Sequence, residues 1–370
     1  MARRMDVMLG VPRWGVAALI LCWPGGAHAQ RAALELLASA EVWETDAGSR
    51  LLAMNGGTPM VTGSLYAFSL FRPHPAVEFF ALTELDAAPA LDEYKATVEQ
   101  LTVRIQSHAA FGVEGGRLLL PVGAFASRRF DNLNPLVGEP DTYPSQYPWG
   151  AQLLGVVGPL DYRVAVVDLP AVNERYLPEA GRRLRPAAAV GIRTGPDLRL
   201  GASATHGSYL GSEVDGVLPP GSDRNDFKQT IVGVDARYSR GYIEVRGELL
   251  WSSYDVPTES DPVDGLGWYL ELRATLTPRL FVAGRFERNR YAFVLPISPT
   301  TWIGTDRTVQ DAEVGLGYRI TRDGLLKISY RRDDWPDPDP PGLAFPNGHA
   351  LAVQASWFLD VGSWLAGRVE

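Results

Sequence analysis

The sequence predicts an all-β chain: a single transmembrane antiparallel β-barrel of about sixteen strands, with short turns at one end and long loops at the other. Three observations predict it. Apolar and polar residues alternate with period two along most of the chain. The connections between these segments are long and short by turns. After the first thirty residues no run of 18 apolar residues occurs, so no helix is expected to cross a bilayer.

The first 29 residues read as a cleaved secretory leader. Arg3, Arg4 and Arg13 precede the apolar run Trp14 to Trp23, Pro24-Gly25-Gly26 breaks it, and Ala27-His28-Ala29 has the small-x-small form of a cleavage site. Residues 30–370 then form one barrel domain. The whole chain has 35 basic and 43 acidic residues, 46% apolar residues, 38 Gly, 28 Pro and one Cys. The leader takes three Arg, Asp6 and Cys22, which leaves 32 basic and 42 acidic residues, a net charge of -10, and no cysteine. Disulfide scaffolds, thiolate metal sites and thiol catalysis are thereby excluded from residues 30–370. The acidic balance argues against nucleic-acid binding.

The alternation is clearest in 268–277, where Trp268, Leu270, Leu272, Ala274 and Leu276 oppose Tyr269, Glu271, Arg273, Thr275 and Thr277. Segments 242–251 and 311–320 split the same way. Sixteen segments are expected to be strands: 35–45, 58–71, 76–84, 97–108, 116–127, 149–156, 160–169, 183–193, 198–206, 227–238, 242–254, 266–276, 280–290, 309–320, 325–334 and 347–358. The second, third and sixth carry apolar residues on both faces. Most exceed the usual soluble strand of about 5–6 residues and match the roughly 9–11 that a tilted membrane strand needs.

Every second connection is short and rich in turn residues, such as Gly158-Pro159, Gly195-Pro196-Asp197 and Arg322-Asp323-Gly324. All short turns therefore fall at one end of the sheet. The longer ones include 128–148, 207–226 and 291–308. An open sheet edge in hydrocarbon would leave backbone groups unpaired, so the sheet must close, with its apolar face toward lipid. The charged face then surrounds water, because Glu244, Arg246 and Glu248 on successive positions of one face are too costly for a dry core. Aromatics near strand ends, including Trp43, Phe71, Tyr238, Tyr242, Trp251, Tyr254, Tyr318 and Trp357, suit interfacial girdles.

The expected pore-lining residues are Arg104, His108, Arg117, Arg163, Arg193, Arg199, Asp235, Arg237, Glu244, Arg246, Glu271, Arg273, Arg285 and Lys327. Basic residues outnumber acidic ones among them, which favours anionic solutes. The turns are expected to place Arg237 opposite Glu244, Asp235 opposite Arg246, and Glu271 opposite Arg285. Arg193 and Arg199 flank one turn.

On the leader, the alternating strands, the rhythm of connections and the length of 128–148, the chain resembles Gram-negative outer-membrane porins of the sixteen-strand type, including the phosphate-selective and general diffusion groups. The resemblance implies a water-filled channel for passive diffusion of small polar or anionic solutes. It also implies that 128–148 folds inward as a constriction loop, with Asp131, Glu139 and Asp141 facing wall residues such as Arg104, Arg117 and Arg163. It implies an outer-membrane location, contact with lipid and lipopolysaccharide, passage through the barrel-assembly machinery, and a homotrimer. Members of that family end on an aromatic residue, whereas this chain ends at Glu370; Trp357-Phe358 would be that pair, followed by a tail, 359–370.

No two histidines among His74, His108, His206 and His349 have metal-ligand spacing, and no Gly-x-Ser-x-Gly elbow or phosphate loop is present. The acidic run 333–342 lacks the spacing of a calcium loop. No cofactor, metal or enzyme activity is expected. The alternatives are a non-conducting barrel acting as adhesin or assembly partner, a barrel enzyme, and a soluble periplasmic β-protein.

Overall fold

The computed structural model describes residues 32–46, 57–89, 92–142, 146–169, 183–337 and 347–362. The leader, the connection 170–182 and the end of the tail lie outside the described residues. The strands are β1 (Ala32–Thr45), β2 (Met60–His74), β3 (Val77–Ala88), β4 (Glu93–His108), β5 (Phe111–Arg117), β6 (Trp149–Val157), β7 (Leu160–Leu169) and β8 (Arg183–Arg193). They continue with β9 (Leu198–Ser208), β10 (Lys228–Arg240), β11 (Ile243–Tyr254), β12 (Val263–Thr275), β13 (Leu280–Ser298), β14 (Thr301–Arg319), β15 (Gly324–Asp334) and β16 (Gly348–Asp360).

Each strand pairs antiparallel with its chain neighbours, and β1 pairs β16 from Glu35↔Asp360 to Thr45↔Ala350, which closes the ring. Closure gives every wall strand two partners and removes the edges that hydrocarbon would penalise. The outer face is apolar: Val164, Val166, Leu270 and Val314 are each more than half exposed. Their neighbours one residue along point inward. In β15 the inward set is Leu325, Lys327, Ser329, Arg331 and Asp333, all buried. Phe71, Tyr238, Tyr242, Tyr318 and Trp357 are exposed near strand ends, as a girdle requires, but Tyr254 is fully buried on the inner side.

Three expectations about strands are corrected. The fifth strand is Phe111–Arg117, not 116–127. Gly116 takes φ 129, and a side chain there would come 2.1 Å from the Leu101 carbonyl oxygen. The glycine lets the chain leave the wall, and Pro121 cannot donate to a continued ladder. The segment 291–308 is not a loop; β13 and β14 run on as a hairpin that extends beyond the other strands. The turn between β10 and β11 is the two-residue Gly241-Tyr242, so Arg237 lies opposite Arg246 and Asp235 opposite Glu248. The Glu271↔Arg285 and Arg193↔Arg199 pairs are as expected.

Val164 lies midway along β7. Val164→Arg should destabilise the barrel in lipid vesicles by about 2–4 kcal/mol, the cost of a cation at the bilayer midplane, whereas Val164→Ile should leave its stability within error. Denaturant titration of the refolded barrel measures this.

Candidate functional site

After Arg117 the chain turns into the barrel; residues 118–142 and 146–148 lie inside it, and Trp149 resumes the wall. Leu118, Leu120 and Val122 pack on Ala165, Val167, Ala187, Ile231 and Leu250 of β7, β8, β10 and β11. Small inner-face residues on β7 and β8 leave room for them. Leu118 and Leu120 donate backbone hydrogen bonds to Pro148 and Gln146, so the outgoing and returning limbs brace each other.

Wall carboxylates then accept the backbone amides of the loop. Glu248 accepts from Ala124 and Phe125 at 3.0 and 3.1 Å. Glu313 accepts from Gly138 at 2.9 Å, and Glu287 from Asp141 at 2.8 Å. Any side chain at Gly138 would collide with Glu313, its Cβ 2.6 Å from Oε2. Cations of the wall take the loop carbonyls. Lys327 donates to the oxygens of Asn134 and Leu136 at 3.1 and 2.8 Å. Arg285 donates to Gly138 at 2.9 Å and to Glu313 at 2.7 Å. Arg331 donates to the Glu139 carbonyl at 3.0 Å and to Asp141 at 2.8 Å. This network lies on β11–β15, and the Arg285 side chain within it is fully buried.

Two consecutive arginines take the loop across the lumen. Arg128, at the end of the 3-10 turn Phe125–Arg128, donates to Glu271 on β12 at 2.8 Å. Arg129 pairs with Glu84 on β3 and Glu99 on β4. β12 and β4 are eight strands apart in a ring of sixteen, halfway round. Arg129 also donates to the Tyr147 hydroxyl at 3.0 Å and lies over the rings of Tyr66 and Phe130. Burial chiefly pushes the Tyr147 hydroxyl up to about 12, against the opposing pull of Arg129, so it stays a neutral partner.

The loop therefore separates two sectors. Toward β12–β16 the interior is filled. Toward β4–β11, on the side of the short turns, charged side chains remain partly exposed. Arg163 and Arg193 are exposed, and no ion pair holds either among the described residues. Arg199 bonds Asp161 at 2.8 Å and Asp235 at 3.0 Å, and Arg104 bonds Glu114 at 2.6 Å. Glu244 bridges Arg237 at 3.0 Å and Arg246 at 2.5 Å, so it relieves the like-charge pair that the register sets opposite.

The expected site residues thus divide. Arg104, Arg163, Arg193, Arg199, Asp235, Arg237, Glu244 and Arg246 lie on the less filled side, whereas Arg273, on β12, is half-buried with its guanidinium 4.4 Å from the Phe281 ring centre. Glu271, Arg285 and Lys327 are sealed under the loop. Arg117 sits at the base of the loop and donates to the Tyr147 carbonyl at 2.9 Å. His108 ends β4, where its Nδ1 accepts from the Ala110 amide of the following turn. Asp131, Glu139 and Asp141 do not face Arg104, Arg117 and Arg163. Asp131 accepts from Gln354 on β16 at 2.9 Å, and the other two meet Arg331. The loop lies against the wall across the ring from where the sequence reading put it. That reading missed the crossing pair Arg128 and Arg129; two adjacent arginines in a segment expected to bear acid were the available signal.

These features define a sixteen-stranded outer-membrane β-barrel. No family model matches the chain, and no curated protein matches its sequence. Among solved structures it is similar to OmpT, an outer membrane protein of Vibrio cholerae. The in-vitro folded trimer form matches with a TM-score of 0.58 at 8% identity, over 89% of this chain and 100% of that one. A second in-vitro folded form gives 0.59 at 8% identity, over 89% and 97%. A form expressed in the outer membrane gives 0.58 at 8% identity over the same shares. Likeness at this identity establishes the fold.

The expectation that the chain is no enzyme is corrected. Structural likeness to OmpT speaks for the fold at 8% identity and sets no bar to catalysis, since one fold hosts many chemistries. That expectation rested on motifs local in sequence, which do not register groups brought together by the fold. Asp141, Glu287 and Asp311 do converge, with carboxylate oxygens within 4.8 Å of one another.

Arg285→Ala should free the loop from the wall, because it removes the donor to the Gly138 carbonyl and leaves Glu313 buried without its cation, while Glu271 keeps only Arg128. The expected loss is about 3–5 kcal/mol, together with new protease cleavage between 118 and 142, read by mass spectrometry of the refolded protein.

Proposed function

We propose that the barrel is an outer-membrane diffusion channel for small polar and anionic solutes, and that the inward segment 118–148 is its constriction. One observation carries this reading: Arg163 and Arg193 stand exposed on the inner wall, without ion pairs among the described residues. Unpaired guanidinium groups lining water raise the local concentration of anions and repel cations. Arg104 and Arg199 extend this basic wall, while their carboxylate partners keep the row from unfolding under its own repulsion. Passage then runs along β4–β9.

The trimer form of the Vibrio cholerae protein supports a trimer as the assembly of this chain also. The outward apolar belt supports insertion in the outer membrane, and the leader read from the sequence supports export to it.

A second reading, a barrel enzyme, has the convergent carboxylates Asp141, Glu287 and Asp311 in its favour. Arg331 lies among them, 2.8 Å from Asp141 and 3.3 Å from Asp311. Hydrolysis of peptide or ester substrates that Glu287→Gln abolishes would support it.

Refolded residues 30–370 in planar bilayers under a tenfold KCl gradient should give a reversal potential of the sign set by chloride preference. Arg163→Glu with Arg193→Glu should move it toward cation preference without closing the channel. Cation preference in the unmodified protein would contradict the proposal.

A further inference from the structure

One stretch of inner wall breaks the polar rule. In this stretch the inward residues of β2 are Tyr66, Phe68 and Leu70, and those of β3 are Leu82 and Phe80, with Phe68 opposite Leu82 and Leu70 opposite Phe80. Leu37 of β1 continues the patch, opposite Tyr66. Tyr66, Leu82 and Leu37 are buried, while Phe68, Leu70 and Phe80 remain partly exposed. Phe130 of the loop packs edge-on against Tyr66 and Phe68, with ring centres at 5.3 and 5.0 Å. Phe80 and Leu70 lie one position further toward the short turns.

Charge borders this patch. Thr102 of β4 is opposite Phe80, and Arg104 is the next inward residue, opposite Glu78. Phe80 and Arg104 are thus diagonal cross-strand neighbours, about 7–8 Å apart along the backbone. The Arg104 side chain is 36% exposed while it bonds Glu114 at 2.6 Å and lies 3.8 Å from Glu78, and Arg163, without an ion pair among the described residues, lies further along the same wall. Apolar rings left partly exposed inside a wet lumen, beside guanidinium groups, complement a solute with the same two ends.

We propose that the inner face of β2 and β3, with Arg104, is a binding strip for solutes that join an apolar ring to an anionic group, aromatic carboxylates being the class it fits. The ring lies against Phe68 and Phe80 and the carboxylate toward Arg104. Ring–ring contact adds to the burial of the ring, which separates an aromatic from an aliphatic carboxylate. The inference rests on the channel reading for its role in transport, though not for the binding itself.

The test uses phenylacetate, acetate and benzyl alcohol on the refolded barrel. Phenylacetate should interrupt the chloride current at concentrations at least tenfold below those of acetate. Phe80→Ser with Phe68→Ser should erase that difference. Arg104→Gln should weaken phenylacetate and leave benzyl alcohol unchanged, which keeps the test valid if the phenylalanine variants do not fold. Titration calorimetry of phenylacetate with the protein in detergent separates the two proposals. Saturable binding without current would sink the channel reading and leave the strip standing. Equal potency of phenylacetate and acetate, or no binding by calorimetry, would overturn the strip.

Discussion

A backbone amide in hydrocarbon has no water to bond, and the rest of this molecule follows from that constraint. The sheet must close, so β1 finds β16. Once it closes, period-two alternation sends one set of side chains to lipid and the other to a shared interior. That interior is too wide for side chains from the wall alone to fill. The chain fills part of it with its own segment 118–142.

The filling is electrostatic as much as apolar. Glu248, Glu287 and Glu313 each receive backbone amides of the loop, and Lys327, Arg285 and Arg331 each donate to its carbonyls. Such groups are expensive to desolvate, and an apolar interface of equal volume would be at least as stable. What they add is position, since each bond fixes one loop residue to one strand. The consecutive Arg128 and Arg129, pulled to opposite walls, hold the loop across the lumen rather than along one side.

Much of this was legible in the sequence. Alternation in β11, β12 and β14 and the rhythm of connections sufficed for the barrel, and Glu271 opposite Arg285 followed from the turn. The fifth strand was misread because Leu118-Leu119-Leu120 resembles wall; the apolar side chains face inward, which only Gly116 hints at. The hairpin 291–308 looked like a loop because its strands rise beyond the apolar belt and lose the lipid-facing pattern. The partners of Asp131, Glu139 and Asp141 depend on which wall the loop reaches, a tertiary choice that local pattern does not encode. Apolar residues on both faces of β2 and β3 were visible, and they mark the aromatic patch inside.

The loop fills the β12–β16 side and leaves the β4–β9 wall open only toward the short turns, beyond the packed Leu118, Leu120 and Val122. Residues 30–370 contain no cysteine, so single cysteines report on each side with a membrane-impermeant thiol reagent. At Arg163 and Arg193 they should react quickly and lower conductance. At Ser329 and Ser356, both buried on the inner face of β15 and β16, they should stay unlabelled. Labelling of Ser329→Cys as fast as Arg163→Cys would contradict the account.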